Sequence, residues 1–350
     1  MISFRVSPLV PAFFLFVFTA LAGWSADDPE YTETLTLLKA HLVDPNLVKP
    51  SELKTQTASA LLQQVGFGSL LMTHPSVEDN APTPIRMEVL QPYKIGYIRM
   101  PSFKPAKDWN ALYSSLVDWQ KNGVFGLILD LRDFEGSSDF AGAAHAASLF
   151  CAPNTVLFST QGLQTPQQIY SGNRASPLSI RPLVIIINRR TVGAAEAFAS
   201  AARQSMGAIL VGRSTAGQAA IYTDLPLRSG KFVRIPTSTA QLPDGTRLFG
   251  KPVQPDLPLF TEDLSERQAI AEGQLSGSTT TVRELPTRQR ISEAALVKQD
   301  NPEFDEVAAD QKKKKKGDAK SDGELIQDVT LIRAVDVVRG IQLHLKMTGR

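Results

Sequence analysis

The sequence predicts an α/β protein whose parallel sheet is built from crossover units. Three observations carry this. Gly126-Leu-Ile-Leu-Asp-Leu131, Pro182-Leu-Val-Ile-Ile-Ile187 and Ala208-Ile-Leu-Val211 are short, nearly continuous apolar runs, the pattern of strands buried on both faces. Helical stretches of small residues, Ala141 to Phe150 and Val192 to Ser205, lie between them. Short connections then join strand to helix to strand, as crossover units require.

The remaining segments are read in chain order. Residues 1–26 read as an export segment: Arg5, an apolar stretch from Leu9 to Leu21, then small residues at Ala20, Ala22 and Ser25-Ala26 where a signal peptidase could cut. The stretch is short for a bilayer span, which needs about 20 residues, so membrane contact is expected only if it stays uncleaved. Residues 27–76 are expected to be helical. Leu35, Leu38 and Leu42 share a helical face up to Pro45, and a second helix runs from Ser51 through Leu61, Leu62 and Val65 to Gly66. Residues 77–92 read as a linker.

The α/β core is expected over 93–262. Lys94 to Met100 alternates as a strand does, and Trp109 to Gln120 is helical through Leu112, Leu116 and Trp119. After Gly212, Ile221 to Leu227 and Lys231 to Thr239 are β-rich, with a turn at Pro243-Asp-Gly245. Residues 263–324 read as a linker containing the run Lys312 to Lys316. Between Asn301 and Glu324 the six bases are outnumbered by seven acids, so the segment reads as solvated rather than as a tether to an anionic surface. Residues 325–350 close the chain with an amphipathic helix through Leu331, Ala334, Val335, Val338, Ile341 and Leu345.

Composition narrows the function classes. Among 350 residues, 37 are basic and 35 acidic, a net charge of +2 that argues against a nucleic-acid partner. The single cysteine, Cys151, excludes an intramolecular disulfide and a cysteine-built zinc site. His41, His74, His145 and His344 have no metal-ligand spacing, so neither metal nor cofactor is expected.

Ligands of α/β sheets sit at the carboxyl ends of the strands. Two loops qualify: Asp130 to Ser138 and Asn188 to Glu196. Gly136 permits close backbone approach, and a helix start near Gly193 presents free N–H groups with partial positive charge, together an oxyanion-type pocket. The same glycines would also serve if they only permitted tight turns.

Four blocks resemble the tail-specific, or C-terminal processing, serine proteases. They are Ile95-Gly-Tyr-Ile-Arg-Met-Pro-Ser-Phe103; Gly126-Leu-Ile-Leu-Asp-Leu-Arg132 followed by Gly136; Pro182 to Glu196 running on to Val211-Gly-Arg-Ser-Thr-Ala-Gly217; and Gln241-Leu-Pro-Asp-Gly245 with Lys251-Pro-Val-Gln-Pro-Asp256. Val43-Asp44-Pro45 is similar to a step in the family's helical N-terminal part. The resemblance covers most of residues 31–260. It implies a ClpP/crotonase-like α/β core with an N-terminal helical part, to which this chain adds its C-terminal helix. It also implies peptides or unfolded protein segments as partners.

The departures are at the chemistry. The family's serine nucleophile falls on Gly193 and its lysine base on Gln218, 25 residues later; a supporting glutamine falls on Tyr222. Glycine has no nucleophile and glutamine accepts no proton near neutral pH. The second glycine of the family's glycine loop is Ser137, and 77–92 is too short for the peptide-recognition module usually inserted there. No catalytic residue is therefore expected, and Gly136, Ser137, Thr191, Gly193, Gly217 and Gln218 are candidate binding positions. Two alternatives stay open: an endopeptidase using Thr191 or Ser214, and a binder of small hydrophobic ligands. Ser200, seven residues into its helix, would stand about 10 Å from the helix start.

Overall fold

A computed structural model describes residues 29–48, 57–76, 85–103, 109–134, 138–278, 282 and 327–348. The expected export segment, Gly136, Ser137 and the run Lys312 to Lys316 lie outside the described residues. In chain order the helices are α1 (Pro29–His41), α2 (Ala58–Val65), α3 (Trp109–Lys121), α4 (Phe140–Ser148), α5 (Ala194–Met206), α6 (Asp263–Ser276) and α7 (Val329–Thr348). The strands are β1 (Leu70–Met72), β2 (Arg86–Leu90), β3 (Ile95–Arg99), β4 (Leu127–Asp130), β5 (Val156–Gly162), β6 (Gln168–Ser171), β7 (Leu183–Ile187), β8 (Ile209–Gly212), β9 (Ala220–Pro226), β10 (Phe232–Gln241) and β11 (Leu257–Pro258).

The residues fall into two compact units, one drawn from 1–79, 162–166 and 221–238, the other from 80–161, 167–220 and 239–350. In the first, α1 and α2 bury Leu38, Leu42, Leu61, Leu62 and Val65 against Leu227, Val233 and Ile235. Thr57 caps α2 by accepting the Ala60 N–H at 3.3 Å. β1 pairs antiparallel with β10, Leu71 opposite Val233, and β9 pairs with β10. Residues 221–238, expected in the α/β core, thus cluster with the helical part.

The second unit is built on a six-stranded sheet in the order β11-β8-β7-β4-β3-β2. Every neighbouring pair is parallel except the edge strand β2, which runs antiparallel to β3. The three apolar runs are β4, β7 and β8, side by side in the sheet interior. Alternate residues Ile128, Val184, Ile186 and Val211 face α7, where Leu331, Ala334, Val335 and Val338 complete one core. α4 and α5 are packed together, and most of their buried residues are alanine: Ala143, Ala144, Ala146 and Ala147 on one, Ala194, Ala195, Ala197, Ala199, Ala201 and Ala202 on the other. Small side chains let two helix backbones approach closely without leaving voids.

Five elements were not anticipated, β1 within the expected helical part 27–76 among them. β2 lies within the expected linker 77–92, the hairpin β5–β6 follows α4, and α6 occupies the start of the expected linker 263–324.

A buried ion cluster ties the sheet to the last helix. Arg132, just past β4, is fully enclosed and grips two carboxylates in bidentate fashion. It donates to Asp130 from Nε at 2.9 Å and Nη2 at 2.7 Å, and to Asp328 from Nη1 at 3.0 Å and Nη2 at 2.6 Å. Asp328 also caps α7 through the Leu331 N–H at 2.9 Å. Burial alone would raise the Asp130 carboxyl, but Arg132 and Arg99 hold it well below the usual carboxylate range. Replacing Arg132 by methionine would leave buried Asp328 without its counter-charge and Asp130 with Arg99 alone. Arg132→Met is expected to cost about 3–5 kcal/mol, measured as a lowered urea midpoint.

Candidate functional site

The turn from β7 into α5 and the turn after β8 meet at one carboxylate. Gly193 is the N-cap of α5, with φ 61° and ψ −120°. That positive φ suits glycine and strains any other residue. Its N–H donates to Glu196 Oε2 at 3.0 Å, the backward half of a capping box. The other turn then closes on the same side chain: Gly217 N–H donates to Oε1 at 2.6 Å, Gln218 N–H to Oε2 at 2.7 Å, and Thr215 Oγ1 to Oε1 at 2.5 Å. Four donors from two loops therefore converge on Glu196, which is fully buried. Burial pushes its carboxyl above the ordinary range, against these hydrogen bonds, which favour the ionised form.

Further bonds fix the same frame. Thr215 Oγ1 accepts the Val253 N–H at 2.8 Å, and Gly217 O accepts the Gly250 N–H at 2.9 Å. Gly217 has φ 74°, and a Cβ there would stand 3.1 Å from Pro252, so both conformation and space call for glycine. On the other side, Asn188 holds two loops together. Its Oδ1 accepts the Asp133 N–H at 3.3 Å and the Arg190 N–H at 3.0 Å, while Nδ2 donates to Asp133 Oδ1 at 2.9 Å.

Of the positions expected from sequence, Gly193, Gly217 and Gln218 come together around Glu196, while Thr191 O accepts the Ala216 N–H at 3.4 Å. Thr191 needs a correction as a ligand contact or nucleophile. It is fully buried, donates to Leu131 O at 2.8 Å and accepts the Asn188 N–H at 3.0 Å. With its hydroxyl engaged at both ends, its task is to pin the α5 turn to the end of β4. Ser214 donates to Gln254 Oε1 at 2.6 Å; an amide oxygen is no base, so this pair activates no nucleophile. Tyr222 lies in the first unit, where its hydroxyl donates to the Phe67 carbonyl. Sequence reasoning missed Glu196, Thr215 and Asn188 as organisers. The available signal was an acid three residues after a helix start, isolated in a run of alanines that must be buried.

Chemically, the site offers a fixed frame at a helix N-terminus, where the Gly193 N–H donates to Glu196 and the Ala195 and Glu196 N–H groups donate to the carbonyls of Val192 and Gly193. It offers neither a nucleophile at Gly193 nor a base at Gln218.

Comparison with known proteins agrees with this geometry. Residues 94–259 match the model of peptidase family S41. This core is similar to the S41 peptidases. The chain is 32% identical over 172 residues to a chloroplastic C-terminal processing peptidase of Tetradesmus obliquus, covering 49% of this chain and 36% of that protein. It is 31% identical over 192 residues to carboxyl-terminal-processing peptidase 1 of Arabidopsis thaliana, covering 52% of this chain and 38% of the relative. The matches thus span little more than a third of these relatives' own lengths. A solved protein of Parabacteroides merdae, described as a candidate peptidase, shares the fold at a TM-score of 0.52 and 17% identity, covering 71% of this chain and 96% of that one.

Glu196→Gln tests the organising role of the carboxylate. In either orientation the amide NH2 would face a backbone N–H donor. The variant is expected to lose about 2 kcal/mol at neutral pH, read from its urea midpoint.

Proposed function

We propose that this chain is a non-catalytic member of the S41 peptidases that is exported and binds extended peptides or protein termini in the vacated pocket. The observation that carries this reading is the pairing of an intact frame with absent chemistry. Glu196 joins the α5 start to the turn at Gly217-Gln218 through four hydrogen bonds, while the nucleophile position is Gly193 and the base position is Gln218. The N–H groups of Gly193, Gly217 and Gln218 are spent on Glu196, so an extended chain would meet the shape that these bonds fix and the side-chain amide of Gln218 rather than those donors. The candidate contact positions are Gly136, Ser137, Gly193, Gly217 and Gln218, with Thr191 contributing through the turn it fixes.

The test pairs binding with turnover. Fluorescein-labelled unfolded casein is titrated with the purified chain and with a Gly193→Ser, Gln218→Lys double variant, following anisotropy and fragment formation. The natural chain is expected to raise anisotropy saturably and to release no fragments. A chain that neither binds nor cleaves, or one whose cleavage co-purifies with it through successive columns, would overturn the reading. Gly193→Ser is also expected to cost about 1–3 kcal/mol, the strain of a side chain at this backbone conformation.

A further inference from the structure

Beneath the pocket, α6 is held in place by a carboxyl group in an unusual setting. Glu266 is 5% exposed and sits beside the Arg132 cluster. Its Oε2 accepts from Asn188 Nδ2 at 3.1 Å, the same amide group that bonds Asp133 and faces both site loops. Its Oε1 is 3.5 Å from Arg132 Nη1 and has no hydrogen-bond partner among the described residues.

The charges here do not balance. Asp130, Glu266 and Asp328 are three buried carboxyl groups, and Arg99 and Arg132 are the two guanidinium groups that face them. One carboxyl must hold a proton or leave an uncompensated charge in the interior. Hydrogen bonding decides which. Asp130 accepts from the Arg132 backbone N–H, Arg132 Nε, Arg132 Nη2 and the Tyr97 hydroxyl. Asp328 accepts from Arg132 Nη1, Arg132 Nη2 and the Leu331 N–H. Among the described residues Glu266 accepts only from Asn188, so its ionised form is the least supported of the three. Burial, joined by Asp130 and Asp328, raises the Glu266 carboxyl, with Arg132 and Asn188 opposing.

We propose that Glu266 is a pH-sensitive positioning residue, which clamps α6 against Asn188 and the two site loops while it is neutral and, once ionised, carries an unbalanced buried charge that draws it toward solvent and loosens that clamp. The remaining charged contacts of α6 are at its ends: Arg213 with Asp263 at the start, and Arg86, which donates to the Gly273 carbonyl, near the finish. These end contacts would retain the helix while its middle shifts. The sign follows from the raised carboxyl: the clamp is fully present below the ordinary glutamate range, near pH 4.3, and is lost as pH rises through the higher folded value. Above that value each pH unit weakens it by up to about tenfold.

The inference is independent of what the pocket binds and is tested without a ligand. Amide hydrogen exchange at residues 188–193, corrected for intrinsic rates, is followed from pH 5 to pH 9 in the natural chain, Glu266→Gln and Glu266→Ala. The natural chain is expected to lose protection as pH rises. Glu266→Gln, a permanently neutral isostere, should stay flat and protected, and Glu266→Ala should be unprotected throughout. Glu196 contributes to global stability with the same sign, so the difference between the natural chain and Glu266→Gln is the quantity read. Equal pH dependence in those two proteins would overturn the proposal, as would protection that increases with pH. If the glutamine variant fails to fold, a carbon-13 titration of Glu266 in the natural chain decides: titration at or below the ordinary glutamate range overturns the clamp, and titration above it supports it.

Discussion

The junction of the two turns depends on one buried carboxylate. Glu196 lies in the first turn of α5, yet it spends three of its four hydrogen bonds outside the α5 cap, on Thr215, Gly217 and Gln218. A carboxylate suits this task because both oxygens only accept, so it can gather N–H and O–H donors from loops that have no other reason to meet. The cost is desolvation, visible in the upward push on its own carboxyl group. The result is that residues more than twenty positions apart in sequence are fixed within one set of hydrogen bonds.

A second buried network sets the other wall. Arg132 joins the end of β4 to Asp328 at the head of α7, and Asn188 joins the loop after β4 to the loop after β7. Strand ends in a parallel sheet are close but their loops are independent; polar side chains with several donors and acceptors make them one body. Truncating one member of such a network strands its buried partners, which makes each member costly to lose.

Much of this architecture could be read from sequence. Apolar runs locate β4, β7 and β8 because a strand buried on both faces has no polar alternation to hide it. Alanine-rich stretches locate α4 and α5. The 25-residue spacing brings Gly193 and Gln218 to the same carboxylate. What escaped has physical reasons. β2, Arg86-Met-Glu-Val-Leu90, is an edge strand that is only partly buried, so its pattern is mixed. α6 exposes most of its surface and carries charge along it, so it reads as a linker. Tyr222 was placed by spacing alone, but β9 carries it into the other compact unit, which no count of residues reveals. Glu196 and Glu266 were invisible as organisers because burial, not residue type, gives them their roles.

The relation between frame and chemistry follows from where strain and desolvation fall. A serine at Gly193 would have to adopt φ 61° and ψ −120°, a conformation that costs a side-chain-bearing residue of order 1–3 kcal/mol. A lysine at Gln218 would add a charge beside half-buried backbone, with its own desolvation cost. Glycine and glutamine remove both costs and disturb none of the bonds to Glu196, which involve only backbone N–H groups at these two positions. A core with glycine and glutamine at these positions is therefore expected to be at least as stable as one with serine and lysine there. The bonds to Glu196 need only those backbone donors, so they hold whichever side chains stand at the two positions.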